Sequence, residues 1–451
     1  MSLKDRLEEY SKSNMYPFHM PGHKRMFEGP YKIDMTEVEG VDNLHHPTGV
    51  IALEQQRIAK IYNSKESLML VGGSTVGNLA AIYAACNEGD TIVIQRNSHK
   101  SVYNGAIIRH LKVEYINSSW DADGIFHGVT SEMVEVAIEN YSPKAVVLTT
   151  PSYEGYHCNI EDISNICHEK GVILIVDQAH GAHLGFHPDF KHSAVGFADI
   201  TIQSLHKTLP CLTQTALMHI CGKLVDSRKI KEALEIFETS SPSYVLMDSI
   251  SRCMDFLEEK KDIFGEYVDK LADFYEVGGQ LRHLHIIDES NEIKDKGKIV
   301  ISTRNAGLTG VELANLLREK YEIETELSSF SYVLAMTSIV DTKEGFDRLK
   351  KALLEIDGTL KEEQIQIPEI TFESNKVMEP FEAKNKSAES IAFDEANGRI
   401  SNVMVCLYPP GVPVIVPGEE IKEQNIKLIK DALEKSIQVT GLISGTISVV
   451  K

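Results

Sequence analysis

Between about residues 64 and 220 the apolar positions fall into seven short runs, most of which show no alternation with polar positions. The runs are residues 68–71, 91–94, 113–116, 145–150, 172–176, 200–203 and 216–220. Apolar runs of this length predict strands that are covered on both faces. Helical patterns between the runs predict a mostly parallel seven-stranded sheet in an α/β domain. Ligands of such open sheets bind outside the carboxyl ends of the strands.

The second half of the chain predicts a smaller unit of mixed structure. Leu246, Ile250, Cys253 and Leu257 recur at steps of three and four, which predicts a helix with one apolar face. Strands are predicted at 298–302 and 332–336, and helices at 309–321, where Thr309 to Glu312 reads as a capping box, and at 343–356. The chain is therefore divided into a large domain (1–283), a small α/β domain (284–363) and a C-terminal α+β segment (364–451).

Composition favours a cytoplasmic enzyme. The 451 residues carry a formal net charge of −20, which argues against a nucleic-acid partner. No apolar run is long enough to cross a bilayer, and residues 1–6 lack an apolar signal core. Seven cysteines without a Cys-x-x-Cys pair indicate reduced thiols in a cytosol.

Two polar residues end buried runs in a way that suggests a cofactor. Asp177 closes the run at 172–176, and Lys207 follows the run at 200–203, where the strand is expected to give way to a loop. Pyridoxal 5'-phosphate requires a lysine that binds it covalently and an acid that keeps its pyridine nitrogen protonated. Asp177 and Lys207 are therefore the first candidates for a catalytic pair.

A phosphate site is predicted after the run at 68–71. Gly72-Gly73-Ser74-Thr75 precedes an Ala-rich helix at about 79–86, so free backbone N–H groups and the positive end of a helix dipole could face an anion. The segment is neither a P-loop nor a Gly-x-Gly-x-x-Gly fingerprint. A plain helix N-cap explains Ser74 or Thr75 equally well.

Histidines near the strand ends allow more than one interpretation. His99 follows the run at 91–94 and could stack on a cofactor ring, but a surface histidine beside a helix cap fits as well. His180, His183 and His187 are close in sequence, yet no Cys or carboxylate completes a ligand set, so no metal is expected.

The order of these motifs resembles the ornithine/lysine/arginine decarboxylase family, which has a fold-type-I PLP-dependent architecture. The matching blocks run in order along nearly the whole chain. They are Met20-Pro21-Gly22-His23-Lys24, Asp42-Asn43-Leu44-His45-His46-Pro47-Thr48-Gly49, Gly73-Ser74-Thr75, Ser98-His99-Lys100, Asp177-Gln178-Ala179-His180, Ser204-Leu205-His206-Lys207-Thr208, Tyr408-Pro409-Pro410-Gly411-Val412-Pro413 and Pro417-Gly418-Glu419.

The resemblance implies a role for each matching residue. Lys207 would bind the cofactor, Asp177 would pair with the pyridine N–H, and His99 would stack on the ring. The remaining cofactor contacts would come from Gly73, Ser74, Thr75, Ala179, His180, Ser204 and His206. His206 and Lys207 are candidates for the proton donor, and Glu419 and Asp42 are candidates for binding a cationic substrate side chain.

The expected reaction is decarboxylation of lysine, ornithine or arginine to CO2 and a polyamine precursor. The expected assembly is a homodimer with residues 21–24 near the partner's cofactor, and the missing N-terminal wing domain argues against a decamer. Two alternatives stay open. One is another fold-type-I enzyme, such as an aminotransferase using Arg399 or a lyase; the other is a PLP-binding protein without turnover.

Overall fold

The computed structural model describes residues 2–13, 15–367, 375–408 and 412–451. Its main feature is a seven-stranded sheet in the order β1-β7-β6-β5-β4-β2-β3. The strands are β1 Glu66–Leu70, β2 Thr91–Gln95, β3 Lys112–Ile116, β4 Ala145–Thr149, β5 Ile173–Asp177, β6 Ile200–Ser204 and β7 Ala216–Ile220. Only β7 runs against the other six, since it pairs antiparallel with both β1 and β6. The predicted mostly parallel seven-stranded sheet is confirmed.

Helices cover both faces of this sheet. They are α1 Leu3–Lys12, α2 Val50–Ile61, α3 Gly73–Ala85, α4 Lys100–Ile108, α5 Ser131–Tyr141, α6 Ile160–Glu169, α7 Leu205–Thr208, α8 Ser227–Phe237, α9 Tyr244–Glu259 and α10 Ile263–Tyr275. Alternate strand residues face opposite layers: Val147 joins the core under α3, α4 and α8, whereas Val146 and Leu148 join the core under α5 and α6. Burial on both faces explains why the strand sequences are continuously apolar.

A four-stranded antiparallel sheet in the order β10-β11-β9-β8 follows. Its elements are β8 His285–Ile286, β9 Lys298–Ser302, α11 Gly310–Tyr321, β10 Leu327–Ser328, β11 Tyr332–Met336 and α12 Lys343–Asp357. Thr309 and Glu312 form the predicted capping box, with the Thr309 side chain accepting from the Glu312 N–H. Gly358 ends α12 as predicted.

The C-terminal segment is α+β, as expected. It contains α13 Pro380–Asn385, β12 Ala388–Ala392, β13 Val405–Tyr408, β14 Val412–Ile415, α14 Glu423–Glu434, β15 Gln438–Thr440 and β16 Thr446–Val450. Four 3₁₀ helices complete the described residues: Gly29–Lys32, Pro188–Phe190, Glu276–Gln280 and Phe393–Glu395. The domain limits at 283 and 363 stay a prediction.

Two local predictions are wrong. Helix α3 begins at Gly73 rather than near residue 79, because residues in a first turn need no intrahelical partner for their N–H groups and the Gly-Ser-Thr stretch can therefore open the helix. Lys207 lies in the short helix α7 rather than in a loop, since Leu205 at the start of α7 is fully buried and the Leu209 N–H bonds back to the Leu205 carbonyl.

Candidate active site

A cavity of about 540 Å³ lies at the edge of the large sheet where the parallel strands β5 and β6 end. Its walls include all ten residues predicted to contact the cofactor: Gly73, Ser74, Thr75, His99, Asp177, Ala179, His180, Ser204, His206 and Lys207. Asp177 and Ser204 are the last residues of β5 and β6, so neighbouring strands deliver them to the same edge. The sheet topology therefore gathers motifs that are far apart in the sequence.

Lys207 presents its amine inside this cavity. The Lys207 Nζ lies 2.9 Å from the His180 Nε2. Burial lowers the pKa of Lys207, and the carboxylates of Asp177 and Glu326 oppose that lowering. A lysine of lowered pKa is more often a free amine, which is the nucleophilic form.

Asp177 is a buried carboxylate whose two oxygens are each fixed by a donor. The Asn78 Nδ2 donates to its Oδ2 at 2.8 Å, and the Ala179 N–H donates to its Oδ1 at 3.1 Å. Only 2% of Asp177 is exposed. A carboxylate that is fixed in this way can hold a protonated ring nitrogen through a charge-assisted hydrogen bond.

The glycine-rich segment forms the start of helix α3. Gly72 is the N-cap and makes no side-chain capping bond, so the alternative that Ser74 or Thr75 is a plain N-cap is wrong. Both lie in the first turn and line the cavity. Gly73 has φ +74°, a conformation that glycine adopts without strain. The N–H groups and hydroxyls of this turn can bind an anion.

Ser204 and His206 extend the polar wall. The Ser204 Oγ is buried and has no hydrogen-bond partner within the described ranges, so a ligand acceptor in the cavity would satisfy it. The His206 Nδ1 donates to the Thr215 carbonyl at 3.0 Å, and burial lowers the pKa of His206. Together with the amine of Lys207 and the carboxylate of Asp177, these groups fit pyridoxal phosphate.

His99 caps helix α4 and also faces the cavity. Its Nδ1 accepts from the Ser101 N–H at 3.3 Å and lies 2.8 Å from the Ser101 Oγ. Burial lowers the pKa of His99, while Asp177 raises it. The residue is half-buried and lines the cavity, so the surface-histidine interpretation is wrong.

Two carboxylates in the cavity were missed by the sequence analysis. Glu154 accepts from the Tyr332 hydroxyl at 2.8 Å and from the Ser152 hydroxyl at 3.1 Å, and burial raises its pKa. Glu326 accepts from the Tyr153 hydroxyl. Neither forms an ion pair with another side chain in the part of the chain that is described. Glu154 follows strand β4, so the strand-end argument could have found it, whereas Glu326 comes from the small sheet.

Glu419 and Asp42 lie outside the cavity lining. Glu419 is 4% exposed, and its carboxylate accepts from the Arg96 Nη2 at 3.1 Å and from the Val416 N–H at 2.8 Å. The Asp42 carboxylate instead accepts from backbone N–H groups at the start of α2. These are the N–H groups of Thr48, Gly49, Ile51 and Ala52.

Several other sequence candidates have local partners. His183 pairs with Asp295 at 3.2 Å, and Arg399 pairs with Glu389 at 2.6 Å.

Residues 2–13, 15–367, 375–408 and 412–451 contain no group of three or more His, Cys, Asp or Glu that could hold a metal ion. None of the helices in those ranges combines the length and apolar character needed to span a membrane. Pro409, Pro410 and Gly411 lie outside the described residues.

Comparison with known proteins gives consistent matches along the chain. The family model "Orn/Lys/Arg decarboxylase, major domain" matches residues 2–296, and "Orn/Lys/Arg decarboxylase, C-terminal domain" matches residues 360–439. An arginine decarboxylase of Bacillus anthracis is 30% identical over 96% of this chain and 93% of its own length. An arginine decarboxylase of Bacillus subtilis is also 30% identical, over 99% and 96%.

The crystal structure of a Francisella novicida lysine decarboxylase superposes with a TM-score of 0.84 at 20% identity, covering 100% of this chain and 81% of that one. The match supports the fold-type-I architecture. Because the family models and the two relatives account for most of the sequence, the chain belongs to the Orn/Lys/Arg decarboxylase family and is a pyridoxal phosphate-dependent decarboxylase of a basic amino acid.

Proposed function

We propose that the enzyme converts L-arginine to agmatine, a polyamine precursor, and CO2. The observation that carries the proposal is that Glu154 and Glu326 line the cavity of Lys207 and form no ion pair among the residues that the structure describes. They suit a substrate with a cationic side chain. Arginine is favoured among basic amino acids because two relatives that are 30% identical over nearly their full lengths are named arginine decarboxylases.

The proposed roles follow the placement of the side chains. Lys207 would hold the cofactor covalently, Asp177 would pair with its ring nitrogen, and His99, Ala179 and His180 would contact its ring. The phosphate contacts would come from Gly73, Ser74, Thr75, Ser204 and His206. When bound, pyridoxal phosphate supplies an electron sink for the bond to the leaving carboxylate.

The protein supplies orientation, charge and a proton. The buried negative charge of Asp177 keeps the ring nitrogen protonated, which makes it a stronger sink. His206 and Lys207 line the cavity and are the proposed donors of the proton that replaces CO2. Burial lowers the pKa of Lys207 from that of an ordinary lysine towards the range in which a general acid–base works near neutral pH. Burial also lowers the pKa of His206, which favours its neutral form.

We propose Glu326 as the main partner of the substrate guanidinium. Glu326 is exposed and lines the cavity, so it is accessible to a substrate, and the Tyr153 hydroxyl orients it. Glu154 also lines the cavity and is buried, and burial raises its pKa. Glu419 and Asp42 are less suitable, because Arg96 and backbone N–H groups already engage their carboxylates.

The direct test offers arginine, lysine and ornithine separately to the PLP-loaded enzyme and identifies products by mass spectrometry. Agmatine from arginine, at a kcat/KM well above that of the other two decarboxylations, is expected. Cadaverine or putrescine as the main product would reassign the substrate. Transamination products without CO2 would overturn the proposed reaction.

A pair of variants tests the guanidinium partner. Glu326→Gln is expected to raise KM for arginine at least about tenfold, and to change binding of the neutral analogue citrulline little, because only the cation loses a charge-assisted bond. Glu324→Gln is the matched control, since Glu324 pairs on the surface with Arg318. Equal effects of the two variants would remove Glu326 from substrate binding.

We also propose that the enzyme is a homodimer. Large apolar side chains are unusually exposed in one N-terminal segment, namely Met15, Tyr16, Phe18, Met20, Met26 and Phe27. A cluster of exposed large apolar side chains within one short segment is typical of an interface. Light scattering is expected to give twice the chain mass, and Phe18→Asp should shift it towards the monomer. A fully active monomeric wild type would contradict the proposal.

A further inference from the structure

His180 lies between two lysine amines. Its Nε2 is 2.9 Å from the Lys207 Nζ, and its Nδ1 is 2.8 Å from the Lys298 Nζ. Lys298 is the first residue of β9 in the small sheet and is only 1% exposed, and His180 is 5% exposed. The imidazole ring therefore connects Lys298 to the cofactor lysine by two hydrogen bonds.

The two hydrogen bonds limit the total charge that Lys207, His180 and Lys298, here called the triad, can carry. A neutral imidazole has one N–H donor and one acceptor nitrogen, and an ammonium can only donate. If Nδ1 carries the proton, Lys298 must be a free amine; if Nε2 carries it, Lys207 must be a free amine. An imidazolium requires both lysines to be free amines. In each state that makes both hydrogen bonds, the three groups share at most one positive charge.

The surroundings place that charge on a lysine rather than on the ring. Burial, with help from the two lysines, holds the pKa of His180 well below its usual range. Burial lowers the pKa of Lys298 to about 7, and nearby Asp295 opposes this. Lys298 can therefore be a free amine near neutral pH. Other charged or titratable groups also face Lys207, His180 and Lys298. They are Asp177, Glu326, Lys294, His99, His206 and Tyr153, whose ring lies against the His180 ring.

We propose that Lys298 and His180 form a proton relay that converts Lys207 from an ammonium to a free amine. The proton of the Lys207 ammonium passes to the His180 Nε2, and the proton on Nδ1 passes to the Lys298 Nζ. No electrons are exchanged, and the ring changes tautomer. Lys298 is a positioning residue, because its hydrogen-bonded connection to Lys207 runs through His180.

The relay would prepare Lys207 to react with the cofactor. An amine must be unprotonated to attack the aldehyde carbon of pyridoxal phosphate. Once Lys207 loses its charge, the repulsion that lowers the pKa of Lys298 weakens, so the transferred proton is stabilised where it arrives. The inference depends on the cofactor and not on the identity of the amino-acid substrate.

The test follows covalent attachment of pyridoxal phosphate to the apoenzyme by visible absorption, with no substrate present. In Lys298→Met the rate profile is expected to move at least one unit towards higher pH, which leaves about tenfold less free amine at pH 7. Lys294→Met is the matched control. Lys294 is equally buried, but its amine donates to the carbonyls of Asp295 and Lys298 and not to His180.

A second comparison separates the relay from a general loss of charge. In a His180→Phe background, Lys298→Met should have a much smaller effect on attachment than in the wild type, since the hydrogen-bonded connection is already cut and only the direct charge interaction between the two lysines is left. Additive effects, or a Lys298→Met profile that matches the wild type, would overturn the relay. Because no substrate is added, these outcomes are independent of whether arginine is decarboxylated.

Wild-type protein provides a measurement that needs no stable variant. With ¹⁵N-labelled histidine, the His180 ring is expected to carry its proton on Nδ1 in the apoenzyme and on Nε2 after the cofactor is attached. The nitrogen chemical shifts distinguish the two tautomers. An unchanged tautomer would contradict the relay even if Lys298→Met failed to fold.

Discussion

Asp177 is a buried residue whose two carboxylate oxygens are held in place by hydrogen bonds. Asn78 and the Ala179 N–H hold its two oxygens, and the residue closes the central strand β5. Hydrogen bonds to an ionised group are stronger than neutral ones, and burial reduces screening by water. The residue is therefore suited to stabilise a cation in the cavity throughout a reaction.

Asp177→Asn should leave covalent attachment of the cofactor largely intact but lower kcat by about 10²-fold or more, because a neutral amide no longer stabilises a protonated ring. Steady-state kinetics of agmatine formation and the visible spectrum of the same preparation measure both effects. A variant with nearly normal kcat would exclude Asp177 from the mechanism.

The sequence was informative about site residues at the ends of the large sheet's strands. It was less informative about site residues that come from the second half of the chain. Asp177, Ser204 and Lys207 could be predicted because parallel strands bring their carboxyl ends to one edge. Glu326 and Lys298 could not, because their approach to the cavity depends on how the small sheet packs against the large one. No local pattern in the sequence encodes that packing.

Helix α3 lies close to the sheet because glycine allows it. A Cβ on Gly77 would lie 2.7 Å from the Ile202 Cγ2 and 2.9 Å from the Leu70 Cδ1. Leu70 and Ile202 are themselves fully buried and have little room to move. The first turn of α3, which lines the cavity, is therefore positioned by close packing further along the helix.

Gly77→Ala is expected to destabilise the protein by about 1–3 kcal/mol through overpacking. Gly265→Ala is the matched control, because Gly265 lies in helix α10 with no atom within 4 Å of an added Cβ. That control should gain about 0.5–1 kcal/mol from helix propensity. Urea unfolding measures both, and equal changes of the same sign would contradict the packing argument.

Helices and strands were predicted best where all residues of an element are buried alike. All seven strands of the large sheet were predicted to within two residues, because apolar runs of five residues bounded by polar turns leave few alternatives. The start of α3 was missed because Gly-Ser-Thr reads locally as a turn. Its helical form depends on packing against the sheet and on neighbouring α4 and α8.

At the scale of the whole molecule, the C-terminal segment is joined to the large domain by a buried ion pair. The Arg96 Nη2 contacts Glu419 at 3.1 Å, and the guanidinium also donates to the Pro413 carbonyl at 3.0 Å. Val412, next to that carbonyl, lines the cavity. This contact therefore fixes one wall of the site.

Glu419→Gln should lower the free energy of unfolding by about 3–5 kcal/mol, since it leaves a buried guanidinium without its counter-ion. KM for arginine should change little in the folded variant. Urea unfolding and steady-state kinetics on one preparation separate these effects. A strongly raised KM with unchanged stability would instead support Glu419 as a substrate contact.

Acid sensitivity is a second property of the whole molecule. Burial lowers the pKa of His219 to about 3, whereas an unfolded histidine titrates near 6.5. Between these values the unfolded chain binds a proton that the native state does not, so stability falls as pH decreases. The contribution of one such group is about 1.4 kcal/mol per pH unit.

His219→Gln should therefore weaken the loss of stability between pH 6.5 and 4 relative to the wild type. His46→Gln is the control, because 75% of the His46 side chain is exposed. Urea unfolding at several pH values gives the slopes. Identical slopes for His219→Gln and the wild type would show that His219 is not buried in its neutral form.

The most direct test of the whole account is to reduce the PLP-loaded enzyme with borohydride and map the modified peptide by mass spectrometry. The account predicts a single reduced pyridoxyl group on Lys207, and loss of both the label and the visible band in Lys207→Ala. Attachment to Lys298, Lys294 or any other lysine would contradict the assignment of this cavity as the active site.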